Sequence, residues 1–156
     1  MSRLTHLDAT GAAHMVDISD KPATRRVAVA EGRITMSATA LEAIRTQSLA
    51  KGDALATARI AGIMAAKQTA QIIPLCHPLP LDAISLDLEF EAAGLLARAT
   101  VTTTHGTGVE MEALTAVSAA LLTLYDMAKA LDKTMVLSDI RLRKKTGGRS
   151  GNLSLP

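Results

Sequence analysis

Ile84-Ser85-Leu86-Asp87-Leu88-Glu89-Phe90-Glu91 alternates strictly between apolar and polar residues. A period of two puts Ile84, Leu86, Leu88 and Phe90 on one face of a strand and the polar residues on the other, as in a half-buried sheet. Gly94 marks a turn, and Leu95–Thr103, rich in β-formers, returns as the antiparallel partner.

The chain on either side completes the pattern. Downstream, His105-Gly106-Thr107-Gly108 breaks the strand, a long helix is predicted from Gly108 to about Leu131, and a last strand at Met135–Leu142. Upstream, Arg26–Ala30 and Arg33–Met36 read as two short strands around a turn at Glu31-Gly32. A helix capped near Ser37 then carries Leu41 and Ile44 inward. A second, capped by Asp53, runs to about Ile73, where Pro74 stops it. Its only charges are Arg59 and Lys67, which predicts burial on most sides. Residues 1–26 read as an irregular arm with one short strand at Met15–Ile18. The order strand, helix pair, strand, strand, helix, strand matches β-α-β-β-α-β. The fold class is therefore α+β, a ferredoxin-like antiparallel sheet with helices packed on one face. With no repeat or linker, the 156 residues predict a single domain, flexible at about 1–14 and 144–156.

Composition narrows the function. Aromatic residues are 1% of the chain, Phe90 and Tyr125 alone, and the net charge is +2. Neither suits a base-stacking or strongly basic nucleic-acid binder, so no nucleic-acid partner is expected. Cys76 is the only cysteine, which excludes an intrachain disulfide and a cysteine-rich metal site. No signal-peptide pattern opens the chain and no run approaches the apolar length of a membrane span, so no membrane partner and a cytoplasmic protein are expected. The basic residues Arg141, Arg143, Lys144, Lys145 and Arg149 crowd the C-terminus, as a solvated tail or an anion site.

The long helix carries the chemistry. Its apolar stripe reads Leu114, Val117, Leu121, Leu124, Ala128 and Leu131. Glu112 and Asp126 fall on the opposite side, within about 40° of each other. Residues 113–125 contain no charge. Since the sheet needs one face only, the other predicts a covering surface, and a neighbouring subunit fits. Asp126 and Lys129, three residues apart, can touch and tune one another, or form an ordinary surface pair. Glu110 points towards the apolar stripe, which calls for a specific partner. Glu112 and Asp126 lie about 21 Å apart along the axis. That is too far for one small reacting centre, so they serve different ends of a large ligand or sites shared between subunits.

Lys51, in a Lys-Gly-Asp turn, and Lys67, in an apolar helix, are candidate cations with solvated alternatives. His77 is a ligand donor, a proton carrier or a hydrogen-bonded loop histidine. Cys76 and His77 are adjacent, which is not a metal-site spacing. The glycines and basic residues of Lys144–Gly151 could wrap phosphate, without the spacing of a Walker motif.

Several of these strings together resemble one family. They are Pro74-Leu75-Cys76-His77-Pro78, Gly108-Val109-Glu110-Met111-Glu112-Ala113-Leu114-Thr115-Ala116 and Tyr125-Asp126-Met127, with Thr5-His6, His14-Met15-Val16-Asp17, Lys51-Gly52-Asp53, Ala56–Gly62 and Gly147-Gly148. From about Leu4 to Gly151 the chain closely resembles the MoaC family of molybdenum cofactor biosynthesis. The resemblance implies conversion of a cyclised dihydro-GTP to cyclic pyranopterin monophosphate, with release of pyrophosphate. It implies a homohexamer built as a trimer of dimers, active sites at a subunit interface and no redox cofactor. It also implies that Asp126, Lys129, Lys51 and Lys145 are catalytic. Leu75, Cys76, His77, Glu110, Met111 and Glu112 would line the ligand pocket, with Arg26 and Lys67 at further polar positions; no metal site is implied. One departure is Gly106, where many relatives carry a basic residue. A nucleotide-binding oligomer without catalysis, or a basic-tailed interaction module, would be the competing functions.

Overall fold

The computed structural model of the chain describes residues 6–148 and 151–156. Leu4, Thr5 and Arg149, named above, lie outside the described residues. The elements run β1 (Thr24–Thr35), α1 (Ala38–Arg45), α2 (Ala54–Lys67), α3 (Thr69–Ile72), β2 (Ala83–Glu91), β3 (Gly94–His105), α4 (Glu110–Ala128), β4 (Val136–Thr146) and β5 (Leu153–Ser154). All pairings are antiparallel, in the order β2-β3-β1-β4-β5. The first four strands have the β-α-β-β-α-β arrangement expected, with α2 and α4 packed side by side on one face of the sheet.

The hairpin that opened the reading is present, with Asp87 opposite Arg98 and Phe90 opposite Leu95. The upstream strand pair is not. Thr24–Thr35 is one strand with no turn at Glu31-Gly32. Gly32 faces the helix layer, where a Cβ would come within 2.9 Å of both Val117 and Leu121 on α4. The glycine is there for close approach, not for a bend. On the opposite face of the same strand, Glu31 is almost fully buried beneath arginines. Arg141 binds it at 3.0 Å, Arg98 at 3.4 Å and Arg143 at 3.5 Å. Burial alone would raise the Glu31 carboxyl, but these three cations together bring it below its ordinary value.

Other boundaries also shift. The second predicted helix breaks at Gln68, where Thr69 turns its hydroxyl back onto Ala65 and Ala66 carbonyls. In the isolated chain α2 buries one face, through Ala54, Ala58, Gly62 and Ala66, and leaves Ile60 and Met64 more than half exposed. Met15–Ile18 is not a strand; the Val16 carbonyl is taken by a side chain rather than by a neighbouring strand. Strand β4 continues past Leu142 to Thr146, and Leu153–Ser154 pairs with it.

Helix α4 has the length and hydropathy of a membrane span, contrary to the expectation that no run has them, yet half of its apolar window is buried inside the fold. Its buried positions are Ala113, Ala116, Val117, Ala120, Leu121, Leu124, Met127 and Ala128, together with Glu112. The expected stripe is thereby corrected. Leu114 is only partly buried because α4 packs on two neighbours at once, and Leu131 is exposed because the helix ends at Ala128, short of the expected Leu131. The second is α2, brought so close that a Cβ on Gly62 would sit 2.9 Å from the Ala116 carbonyl oxygen. The uncharged side away from both carries Thr115, Ala119, Leu122 and Thr123; Leu122 is 61% exposed.

Candidate active site

The two ends of α4 hold two different groups of polar side chains. At the C-terminal end, Asp126 joins Lys51 and Lys129. Lys51 Nζ lies 2.6 Å from one carboxylate oxygen of Asp126 and 3.0 Å from its backbone oxygen. Lys129 Nζ lies 2.7 Å from the other carboxylate oxygen. Lys51 reaches the helix from a tight turn closed by Gly52 N–H donating to the Leu49 carbonyl, just before the Asp53 cap of α2. Lys129 first, and Lys51 next, hold the Asp126 carboxyl down at about 2. All three side chains are about half exposed, so the cluster adds little stability. What it does chemically is keep two cations on one carboxylate, at the negative end of the helix dipole.

At the N-terminal end a cavity of about 340 Å³ opens between α4, the Pro74–Pro80 loop and the N-terminal arm. Leu75, Cys76 and His77 line it from the loop, and Glu110, Met111 and Glu112 from the first turn of α4. Glu110 has the partner its direction called for: Lys145 Nζ, at 3.0 Å. Lys145 is aimed there by a bulge. Ala30 pairs with Leu142 and Ala28 with Lys145, so two residues of β1 span three of β4. Strict alternation from Leu142 would turn Lys145 to the open face of the sheet; the extra residue turns it towards α4. Gly108 completes the arrangement, because a Cβ there would collide with the Glu110 carboxylate.

Glu112 was expected beside Asp126 on the outer side of the helix. It is buried instead, 4% exposed, and its carboxyl is pushed up by burial, with the charge of Glu110 adding to the rise. Burial, and then the charge of Glu112, also push the Cys76 thiol up, which keeps it protonated. His77 donates from Nε2 to the Val16 carbonyl at 2.7 Å.

The expected residues therefore divide. Six converge on the cavity; Asp126, Lys51 and Lys129 form the separate cluster; Lys145 touches the cavity wall through Glu110. Glu110 and Asp126 are 16 residues apart on one straight helix, about 24 Å. Lys67 lines an adjoining cleft that shares His77 and Glu112 with the cavity. Arg26 lies in a smaller hollow with Lys21 and Gly148. The Arg26 Nε is buried without a hydrogen-bond partner among the described residues; its Cδ lies beside Gly147 and its guanidinium against Gly148, both glycines at positive φ. Sequence reasoning did not select His6, Val16, Ile18, Lys21 or Leu79 for the site; these line the cavity, as do Thr107 and Gly108. His6 and Val16 belong to strings that carry the family resemblance, but the arm residues have no periodic signal, and only the fold lays them against the loop. Among the described residues no three His, Cys, Asp or Glu side chains are placed to share a metal ion.

A family model described as the MoaC family matches residues 15–148. Proteins named cyclic pyranopterin monophosphate synthase align along nearly the whole chain. The one from Novosphingobium aromaticivorans is 60% identical over 151 residues, covering 97% of this chain and 96% of its own length. That from Dinoroseobacter shibae is 58% identical over 153 residues, covering 97% of each. That from a Nostoc species is 57% identical over 157 residues, covering 99% of this chain and 94% of its own.

Proposed function

Because the chain belongs to the MoaC family, we propose that it is a cyclic pyranopterin monophosphate synthase, a lyase of molybdenum cofactor biosynthesis. The reaction takes (8S)-3',8-cyclo-7,8-dihydroguanosine 5'-triphosphate to cyclic pyranopterin monophosphate and pyrophosphate. The observation that carries this reading is the convergence of Leu75–His77 and Glu110–Glu112 on one cavity of about 340 Å³, in the size range of small-molecule sites.

The chemistry suits the groups present. Opening the imidazole part of the base and rebuilding a pterin ring needs repeated proton transfers, and carboxyls whose proton affinities are shifted in opposite directions can supply them. Closing the cyclic phosphate needs a hydroxyl to attack the α-phosphorus while the bond to pyrophosphate breaks. The departing pyrophosphate gains negative charge, which lysines stabilise. Lys51 and Lys129 on Asp126 and Lys145 on Glu110 are the cations proposed for this, with Arg26 and Lys67 as flanking contacts.

A complete site is proposed to draw on two copies of the chain. The about 24 Å between Glu110 and Asp126 leaves the cavity of one copy without an Asp126 cluster of its own. A second copy, arriving on the uncharged outer side of α4 and on Ile60 and Met64 of α2, could deliver one. This supports the homohexamer, a trimer of dimers, that the family resemblance implies. The free Cys76 and the biosynthetic role fit a cytoplasmic protein.

Purified protein incubated with the cyclised dihydro-GTP should release pyrophosphate stoichiometrically with pterin formation. Binding of that compound with no pyrophosphate released would favour a non-catalytic nucleotide-binding oligomer instead.

A further inference from the structure

We propose that the N-terminal arm is a positioning element of the site: the Val16 carbonyl accepts the hydrogen bond of His77 Nε2–H and leaves Nδ1 as the ring atom offered to the ligand. The inference rests on the synthase reading for its kinetic arm only.

A backbone carbonyl can only accept a hydrogen bond. The nitrogen 2.7 Å from Val16 O must therefore carry the hydrogen. In a neutral imidazole one nitrogen donates and the other accepts, and the bond made by one fixes the role of the other. Nδ1 has no hydrogen-bond partner among the described residues, so it is the free acceptor of a ring that borders the cavity. Neither the loop nor α4 sets this tautomer. The arm does, 61 residues away in the chain.

The arm is built to hold that carbonyl in place. Asp17 accepts from the backbone N–H and hydroxyl of Ser19, and Lys21 N–H donates to the Ile18 carbonyl, which fixes the turn just after Val16. The turn is seated on Gly106. A Cβ there would stand 3.3 Å from Lys21 backbone and side-chain atoms and 3.4 Å from the Ile18 carbonyl oxygen. Here the space goes to the arm, which lines the cavity with Val16, Ile18 and Lys21.

The test uses the full chain labelled with 15N at histidine. At a pH where the ring is neutral, His77 should show a protonated Nε2 and an unprotonated Nδ1; the reverse tautomer would overturn the proposal. Gly106→Val, which crowds the arm without touching His77, should shift the population towards the Nδ1–H form; an unchanged tautomer alongside a displaced arm would count against it. Two variants separate the ring's two jobs, because a Gln amide reaches to the position of Nε2 and an Asn amide only to that of Nδ1. His77→Gln should leave hydrogen exchange of the Met15–Ile18 amides near wild type and lower kcat about a hundredfold. His77→Asn should speed that exchange about tenfold, raise KM and keep the larger share of kcat. Equal effects of the two variants on arm and kcat would refute the division. Absence of turnover in the wild-type protein would instead remove the synthase reading and leave the tautomer and exchange results to stand or fall alone.

Discussion

The two ends of α4 carry carboxyls shifted in opposite directions. Glu112, in the first turn, is enclosed by the cavity loop and is pushed up by burial. Asp126, in the last turn, is half exposed and held down at about 2 by Lys129 and Lys51. Both sit on one helix with an uncharged stretch between them. The difference shows how a single element holds one carboxyl that binds its proton more tightly than usual and one that binds it less tightly: environment, not residue type, divides them. It also shows that the helix is a partition. The enclosed end has the shape of a site, with Lys21 in its lining and Lys145 held on Glu110 at its wall. The open end has cations and no enclosure.

Removing the charge at the open end should have the largest effect. Asp126→Asn leaves the helix and the core intact, since the half-exposed side chain makes its hydrogen bonds and ion pairs only with Lys51 and Lys129 among the described residues. Turnover should fall by about a thousandfold, with the oligomeric state unchanged by light scattering. Activity within twofold of wild type would remove Asp126 from the chemistry.

A smaller effect is expected at the enclosed end from Gly108→Ala. The added Cβ displaces the Glu110 carboxylate and so frees Lys145. Because only a flexible side chain must move, stability should change by less than about 1 kcal/mol while kcat/KM drops about tenfold. A loss of folding without a specific kinetic effect would mean that Glu110–Lys145 is structural only.

The smallest effect lies in pH dependence. Glu112 has a raised carboxyl in the folded chain, so the folded state binds the proton more tightly than the unfolded one. Its contribution is fully present below the ordinary glutamic acid range and is lost as pH rises through the folded value. Glu112→Gln should therefore become stable relative to wild type as pH increases, by on the order of 1 kcal/mol at neutral pH. Asp126 works in the other direction: its contribution is present above the ordinary aspartate value and fades as pH falls towards about 2. Urea denaturation at several pH values reads both. A Glu112→Gln curve parallel to wild type would show that the two ends do not differ as described.

The sheet was legible because strict alternation at Ile84–Glu91 admits one interpretation. The topology followed from element order. Gly32 misled because a glycine for close packing and a glycine for a turn look the same in sequence; only α4 lying on it tells them apart. The Asp126–Lys129 contact and the need of Glu110 for a partner were readable from helical spacing. Their partners from afar, Lys51 and Lys145, were not: one depends on a turn and the other on a bulge, and neither has a periodic signature. Glu112 was placed on the wrong side because the wheel assumed one packing surface, whereas α2 and the sheet bury two sides of α4 together.

The central claim is that the enclosed end of one copy works with the open end of another. Mixing tests it most directly. Asp126→Asn and Lys145→Ala, each inactive alone, are unfolded together and refolded so that copies mix, with mixing verified by native mass spectrometry. If each site takes Asp126 from one copy and Lys145 from its neighbour, half of the sites in a mixed pair are intact, and roughly a quarter of the wild-type rate should return. Verified mixed oligomers with no more activity than either parent would contradict the shared site.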